Sequence, residues 1–339
     1  MMVAFTKSAI NNPPNQFEVR FRAMNTWIEF KFQAAQSEAE ELIFLTKNWF
    51  ETVEHRFSRF LADSELCYLN RLSGQTCVVS DPMLEVLQLA ELYSNKTDHT
   101  FNPFVQQALK EAGYSESFEA IKRNMPDSNS IRERYEIANF PIALDVRMKS
   151  VRLPSGIHLD LGGIVKSWAV KRIATFLRNK HFVERGLLNA GGDLLTWSSD
   201  EEMMRKWSVG VEDPWNSEKE FAVISCNEKA VATSSTLGRR WVNQQGVQHH
   251  LIDPCTMRPS KSDTVQCTII GEDPIECEIW SKTICILGRE NGTKLFLARA
   301  PGYEALVFTE DHKSHFYGEQ ASIGSVWMSI EIDEFHYIV

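Results

Sequence analysis

The residues best placed by type and spacing to do chemistry lie in His158–Val170, HLDLGGIVKSWAV. Ile157, Leu159 and Leu161 alternate with His158 and Asp160, the period of a strand with one buried face, and Gly162-Gly163 interrupts the pattern. Beyond the glycines, Val165, Ala169, Ile173 and Phe176 recur at helical spacing, so the stretch predicts a strand, a sharp turn and an amphipathic helix. First-turn N–H groups of a helix lack intrahelical partners and sit at the positive end of its dipole, and glycine lets a phosphate come close to them. The corner therefore suits an anion. An ordinary glycine turn between a strand and a helix reads equally well from this stretch alone.

Further polar clusters are FSRF (57–60), DSELCYLN (63–70), TFNPF (100–104), LNAGGD (188–193), ATSSTLGRR (232–240), HHLIDP (249–254) and ECEIWSK (276–282). In the last, Glu278 precedes Lys282 by four residues, the favourable order for an ion pair along one helix face. The patterns GxGxxG, GxxxxGK[ST], GxSxG and HExxH are all absent, which removes support for a standard dinucleotide fold, an NTPase, an α/β-hydrolase and a zincin.

The elements that must position these clusters are legible in outline. Alternation in Glu18–Phe32 predicts two strands around Asn25, and Ser37 with Glu40 predicts a capped helix whose stripe runs Leu42, Leu45, Trp49, Val53, Phe57. Asp81-Pro82 opens another helix with Leu84, Leu87 and Leu92 on its buried side, and TDHTFNPFV (97–105) reads as a turn. Gly191-Gly192 separates two strands, and Asp273, Pro274, Glu276 and Gly288 bound a late helix. Further strands are expected near 208–211, 221–225, 230–233, 265–270 and 305–309. Strands mixed with helices, without regular βαβ alternation, predict an α+β fold of mixed sheets with packed helices.

The chain has 339 residues, about two domains' worth, expected as a polar leader (1–15), an N-terminal lobe (16–150) and a C-terminal lobe (151–339) carrying the phosphate corner. The polar stretch Pro126–Arg134 reads as a surface excursion. A net charge of −9 argues against a nucleic-acid surface, so an anionic ligand must be held by local donors. The seven cysteines are scattered and never form CxxC, so they read as reduced thiols. The N-terminal residues show no signal peptide or lipoprotein signal and no later run suits membrane insertion, so a cytoplasmic protein is expected.

Taken together, in this order and at these separations, the clusters resemble the FAD:protein FMN transferases, the flavin transferase family once called thiamine biosynthesis lipoproteins or ApbE. The resemblance covers about residues 50–290. It implies an α+β fold with FAD in a central cleft between two lobes. It also implies Mg²⁺ on the FAD pyrophosphate, and transfer of FMN to a threonine hydroxyl of a target flavoprotein with release of AMP. By resemblance FAD would meet Phe60, Phe101, Asn102, Pro103, Asp160, Gly163, Lys166 and His250, and the metal would sit near the Gly163 carbonyl and Glu278. His250 is the expected base, since a threonine hydroxyl needs its proton removed and a histidine suits that task at neutral pH, while His249 reads as scaffold. Asp160 is expected either to hold the adenosine or to cap the helix, Lys166 either to contact phosphate or to be solvated, and Ser234 and Ser235 either to line the cleft or to end a strand. Four positions depart from the family pattern: His99 stands for a glycine before the FNP turn, Met257 follows Thr256 where a glycine is usual, and Glu278 with Lys282 replaces an aspartate–threonine pair. A protonated lysine cannot ligate a metal. FAD hydrolysis to FMN and AMP, and FAD binding without chemistry, are the alternatives.

Overall fold

A computed structural model describes residues 15–116, 142–199, 205–244 and 246–338. The expected leader, up to residue 14, and the expected excursion at 126–134 lie outside the described residues.

The alternation around Asn25 becomes a hairpin, β1 (Gln16–Ala23) and β2 (Thr26–Gln33), turned by Met24 and Asn25 in the left-handed region. Then come α1 (Gln36–Phe57), α2 (Glu65–Arg71), β3 (Thr76–Val78), α3 (Asp81–Lys96), a 3-10 turn at Pro103–Val105, and α4 (Gln106–Glu111). Next are β4 (Ala143–Asp145), β5 (Ser150–Arg152), α5 (Val165–His181), β6 (Arg185–Ala190), β7 (Asp193–Ser198), β8 (Trp207–Asp213), β9 (Asn216–Cys226) and β10 (Ala230–Ser235). The chain continues with β11 (Arg240–Asn243), β12 (Gly246–His249), β13 (Ile252–Asp253), β14 (Arg258–Pro259), β15 (Thr264–Gly271), α6 (Pro274–Leu287) and α7 (Arg289–Arg299). It closes with β16 (Glu304–Thr309), β17 (Ser314–Gly318), β18 (Trp327–Met328) and β19 (Glu334–Tyr337).

Nine strands form the main sheet in the order β1, β2, β6, β7, β10, β15, β16, β17, β19, so it draws on both sides of residue 150. Neighbours are antiparallel except β17 and β19. The fold is α+β, as expected. Alternation along the central strands sorts the core by face: Ala230, Ala232, Cys267, Ile269, Ala305 and Val307 pack under α6 and α7, whereas Val231, Ile270, Leu306 and Phe308 meet β8, β9 and β18. α5 lies against β6, β7 and α1, burying Trp168 beside Phe57. Each large side chain buried this way contributes about 1.5–3 kcal/mol relative to exposure. No described helix is long and apolar enough to cross a membrane.

Several local expectations change. Ile157–Leu161 is not a strand. Leu159 and Leu161 are buried as the alternation required, but the Asn70 amide pairs with the Leu159 backbone, accepting from its N–H at 2.8 Å and donating to its C=O at 3.0 Å. One side chain thus replaces a neighbouring strand. α1 begins after Ala35 without a side-chain cap, and α3 is capped by Ser80, whose hydroxyl and N–H both donate to Glu65 at 2.7 Å. Leu92 and Phe176 face outward, Phe176 against the His181 ring. TDHTFNPFV ends in the 3-10 turn and leads into α4 rather than being a turn alone. Asp273 does cap α6 by accepting from the Ile275 N–H, but Glu276 turns to Lys96 and the Trp280 indole instead of completing a capping box.

Candidate active site

The Gly162-Gly163 corner owes its glycines to close approach. A Cβ on Gly163 would lie 3.3 Å from the Phe101 ring and 3.6 Å from Cε of Lys282, so the FNP turn, the corner and α6 converge on one point. The Asp160 N–H donates to the Pro103 carbonyl at 2.7 Å and fixes the turn against the corner. The Leu161 carbonyl accepts from the N–H groups of Ile164 and Val165, so two donors at the mouth of α5 are already used within the turn.

Beside this corner opens a cavity of about 1080 Å³. Phe60, Phe101, Asn102, Asp160, Gly163, Lys166 and His250 line it, as do Ser234 and Ser235. Pro103 does not reach the lining; it holds the corner through its carbonyl. Asn102 accepts from the Phe104 N–H at 2.9 Å and caps the 3-10 turn. Ser234 shares a hydrogen bond with Ser281 at 2.8 Å, which ties β10 to α6.

One wall is built on Arg59, the centre of the FSRF cluster. Its Nε donates to Asp160 Oδ2 at 2.8 Å and Nη1 to the Tyr114 carbonyl at 2.7 Å. Its guanidinium lies 4.2 Å from the Phe60 ring centre and 4.5 Å from that of Tyr114. The other Asp160 oxygen accepts from the Gly162 N–H at 2.8 Å. Both oxygens of Asp160 thus hold the corner in shape.

The deepest charges meet between α5, β7 and α6. Lys166 donates to Asp193 and, at 3.2 Å, to Glu278 Oε1, which also accepts from Lys282 at 2.6 Å. Asp193 reaches this point because Gly191 and Gly192, at φ +67° and +98°, make the two-residue turn from β6 to β7, a conformation favoured by glycine at both positions. Glu278 is fully buried. Burial alone would push its carboxyl up, but Lys166 and Lys282 outweigh that and hold it at about 2. Asp193 moves the other way, to about 6, through burial and the nearby Glu278, against Lys166 and Lys282. Lys166 is held above its ordinary value: burial depresses it, but Asp193 and Glu278 more than reverse that.

This donor set does not fit a divalent metal. Glu278 Oε1 already carries two ammonium groups, which leaves only the buried Oε2 without a hydrogen-bond partner, and the Lys282 stem lies against Gly163, where the resemblance places the ion. Ammonium has no lone pair to give a metal, and it already neutralises both carboxylates.

His250 follows β12, and its Nδ1 is buried without a hydrogen-bond partner. Burial first, then the positive charges of Arg239 and Lys282, keep its imidazole well below 6.5, so it stands neutral with a free lone pair. His249 is scaffold, as expected: its Nδ1 accepts from the Leu251 N–H while Nε2 lies 2.9 Å from the Ser260 carbonyl. Arg59, Tyr114 and Asp193 are parts of the site that no sequence motif singles out, although Arg59 stands in FSRF and Asp193 in LNAGGD.

Residues 24–307 match the ApbE family. The chain is 29% identical over 238 residues to a FAD:protein FMN transferase of Klebsiella pneumoniae (strain 342), covering 68% of this chain and 71% of that protein. It is 27% identical over 270 residues to the FAD:protein FMN transferase of Treponema pallidum (strain Nichols), covering 74% and 72%. Among solved structures, the ApbE protein of Thermotoga maritima shares the fold with a TM-score of 0.76 at 22% identity, covering 88% of this chain and 96% of that one. The flavin transferase ApbE of Vibrio cholerae does so with 0.71 at 20% identity, covering 90% and 97%.

Proposed function

The chain belongs to the ApbE family, and we propose that it transfers FMN from FAD to a threonine hydroxyl of a target flavoprotein, releasing AMP. The observation that carries this reading is the unpaired Nδ1 of His250 beside a cavity that also presents Lys166, Lys282 and Arg239. At about 1080 Å³ the cavity exceeds the usual drug-sized pocket and suits a dinucleotide. Phe60, Phe101 and Asn102 flank the FAD, and Asp160, Gly163 and Lys166 form the corner that meets its diphosphate.

His250 takes the threonine proton, the threonine oxygen bonds to the flavin-side phosphorus, and the bond from that phosphorus to the bridging oxygen breaks. AMP leaves with the bridging oxygen. Such transfers depend mainly on positioning and on charge stabilisation at the phosphoryl oxygens. In this chain Lys282 stands where the family pattern places Mg²⁺ and can turn its ammonium from Glu278 towards the diphosphate, so the reaction does not call on a metal at Gly163 and Glu278.

Incubation of the protein with FAD and a threonine-bearing flavoprotein domain tests the reading by mass spectrometry of the domain and chromatography of the nucleotides. Covalent FMN with one AMP per label is expected. AMP and FMN without label identify a hydrolase, and unchanged FAD bound to the protein identifies a carrier; either result overturns the transferase.

A further inference from the structure

At the edge of the main sheet, β17 and β19 run parallel, with His315 opposite Glu334 and Tyr317 opposite His336. One nitrogen of each histidine and one oxygen of Glu334 lie within 4.8 Å of one another. Glu334 Oε2 is 3.2 Å from His315 Nδ1 and 3.8 Å from His336 Nε2. Both nitrogens are buried and neither makes a hydrogen bond, and His315 as a whole is only 3% exposed.

The proton positions are set from behind. The Thr309 hydroxyl donates to Asp311 Oδ1 at 2.5 Å, so towards His315 Nε2, 3.3 Å away, it acts as acceptor. Nε2 then carries the ring proton, and in the neutral ring Nδ1 turns a lone pair on the Glu334 carboxylate. Two lone pairs facing across 3.2 Å need a cation between them.

We propose that His315, Glu334 and His336 bind one divalent transition ion of the Zn²⁺ class, which fastens the C-terminal strand β19 to β17. Two imidazoles and a carboxylate suit such an ion rather than Mg²⁺ or Ca²⁺, with a fourth position left for water. Zn–N bonds of about 2.0–2.1 Å put tetrahedral ligands about 3.4 Å apart, so the widest pair, within 4.8 Å, must close by at most about 1.4 Å. The supporting layer is present: Thr309 and Asp311 orient His315, and Lys313 holds the other Glu334 oxygen at 3.1 Å. Tyr317 stacks on the His336 ring at 4.4 Å and 6°. None of the three ligands lines the flavin cavity, so the site is separate from it.

Tag-free protein, stripped with chelator and dialysed, is titrated calorimetrically with Zn²⁺ and spectrophotometrically with Co²⁺. One equivalent of each is expected, with the visible absorption of tetrahedral cobalt and a Zn²⁺-dependent rise in Tm that Mg²⁺ does not produce. Glu334→Gln and His336→Phe, the latter keeping the stack on Tyr317, each lower Zn²⁺ affinity at least tenfold and remove the Tm rise, with circular dichroism and FMN transfer unchanged. The proposal is overturned if the parent takes up no Zn²⁺, or if both folded variants bind it as the parent does.

Discussion

Two parts of the cavity wall hold their cations in opposite ways. Arg59 is clamped: its planar guanidinium lies against Phe60 and Tyr114 and is tied to Asp160 and to a backbone carbonyl. Lys166 and Lys282 instead share one oxygen of the fully buried Glu278. A guanidinium fork stacked on rings fixes direction, whereas an ammonium is a point charge that can redirect towards a new anion. On the proposed function, the first wall shapes the ligand and the second can turn charge towards it.

Removing His250 or a group of the second wall should have the larger effects. His250→Ala should slow FMN transfer by about 10²–10⁴-fold while FAD affinity changes little, because a base acts in the transition state; transfer rate and FAD affinity measured together check it. Glu278→Ala leaves Lys282 without its buried partner and Lys166 with Asp193 alone, and should cost about 3–5 kcal/mol of stability by urea unfolding. The same carboxylate sets a pH signature. Its folded value, about 2, lies below the unfolded one, so its contribution is complete above about pH 4.5 and is lost as pH falls towards 2. Asp193, raised to about 6, contributes the opposite slope between about pH 4 and 6. Glu278→Gln should remove the acid-limb loss, as read by urea midpoints across that range. At the first wall, Arg59→Ala should weaken FAD binding by about 1–2 kcal/mol with a smaller effect on the transfer rate of bound FAD. If Arg59→Ala lowered that rate as much as His250→Ala, the division between shaping and neutralising would fail.

The sequence already disclosed the strand pair at Gly191-Gly192, the helices at 165–181 and 274–287 and the glycine corner, because periodicity and caps are local signals. It misread 157–161 because the partner of that backbone is Asn70, a side chain 89 residues earlier, and alternation reports burial rather than pairing. It placed the cap of α3 at Asp81 because the role of Ser80 depends on Glu65 across a loop. Arg59 and Asp160 each stood in a flagged cluster, but their ion pair is a product of the fold. Lys282 was visible as a departure from the family pattern, and its contact with Gly163 needed the structure. The same holds for His315, Glu334 and His336, which are brought together by a parallel strand pair with no local signature.

If Lys282 does the work that the family pattern gives to a metal, FAD affinity will not depend on whether EDTA or Mg²⁺ is present. The parent should bind FAD equally in both, Lys282→Thr should bind well only with Mg²⁺, and Lys282→Met should bind more weakly in both. Loss of FAD binding by the parent on chelation would contradict the claim and make Glu278 a metal ligand.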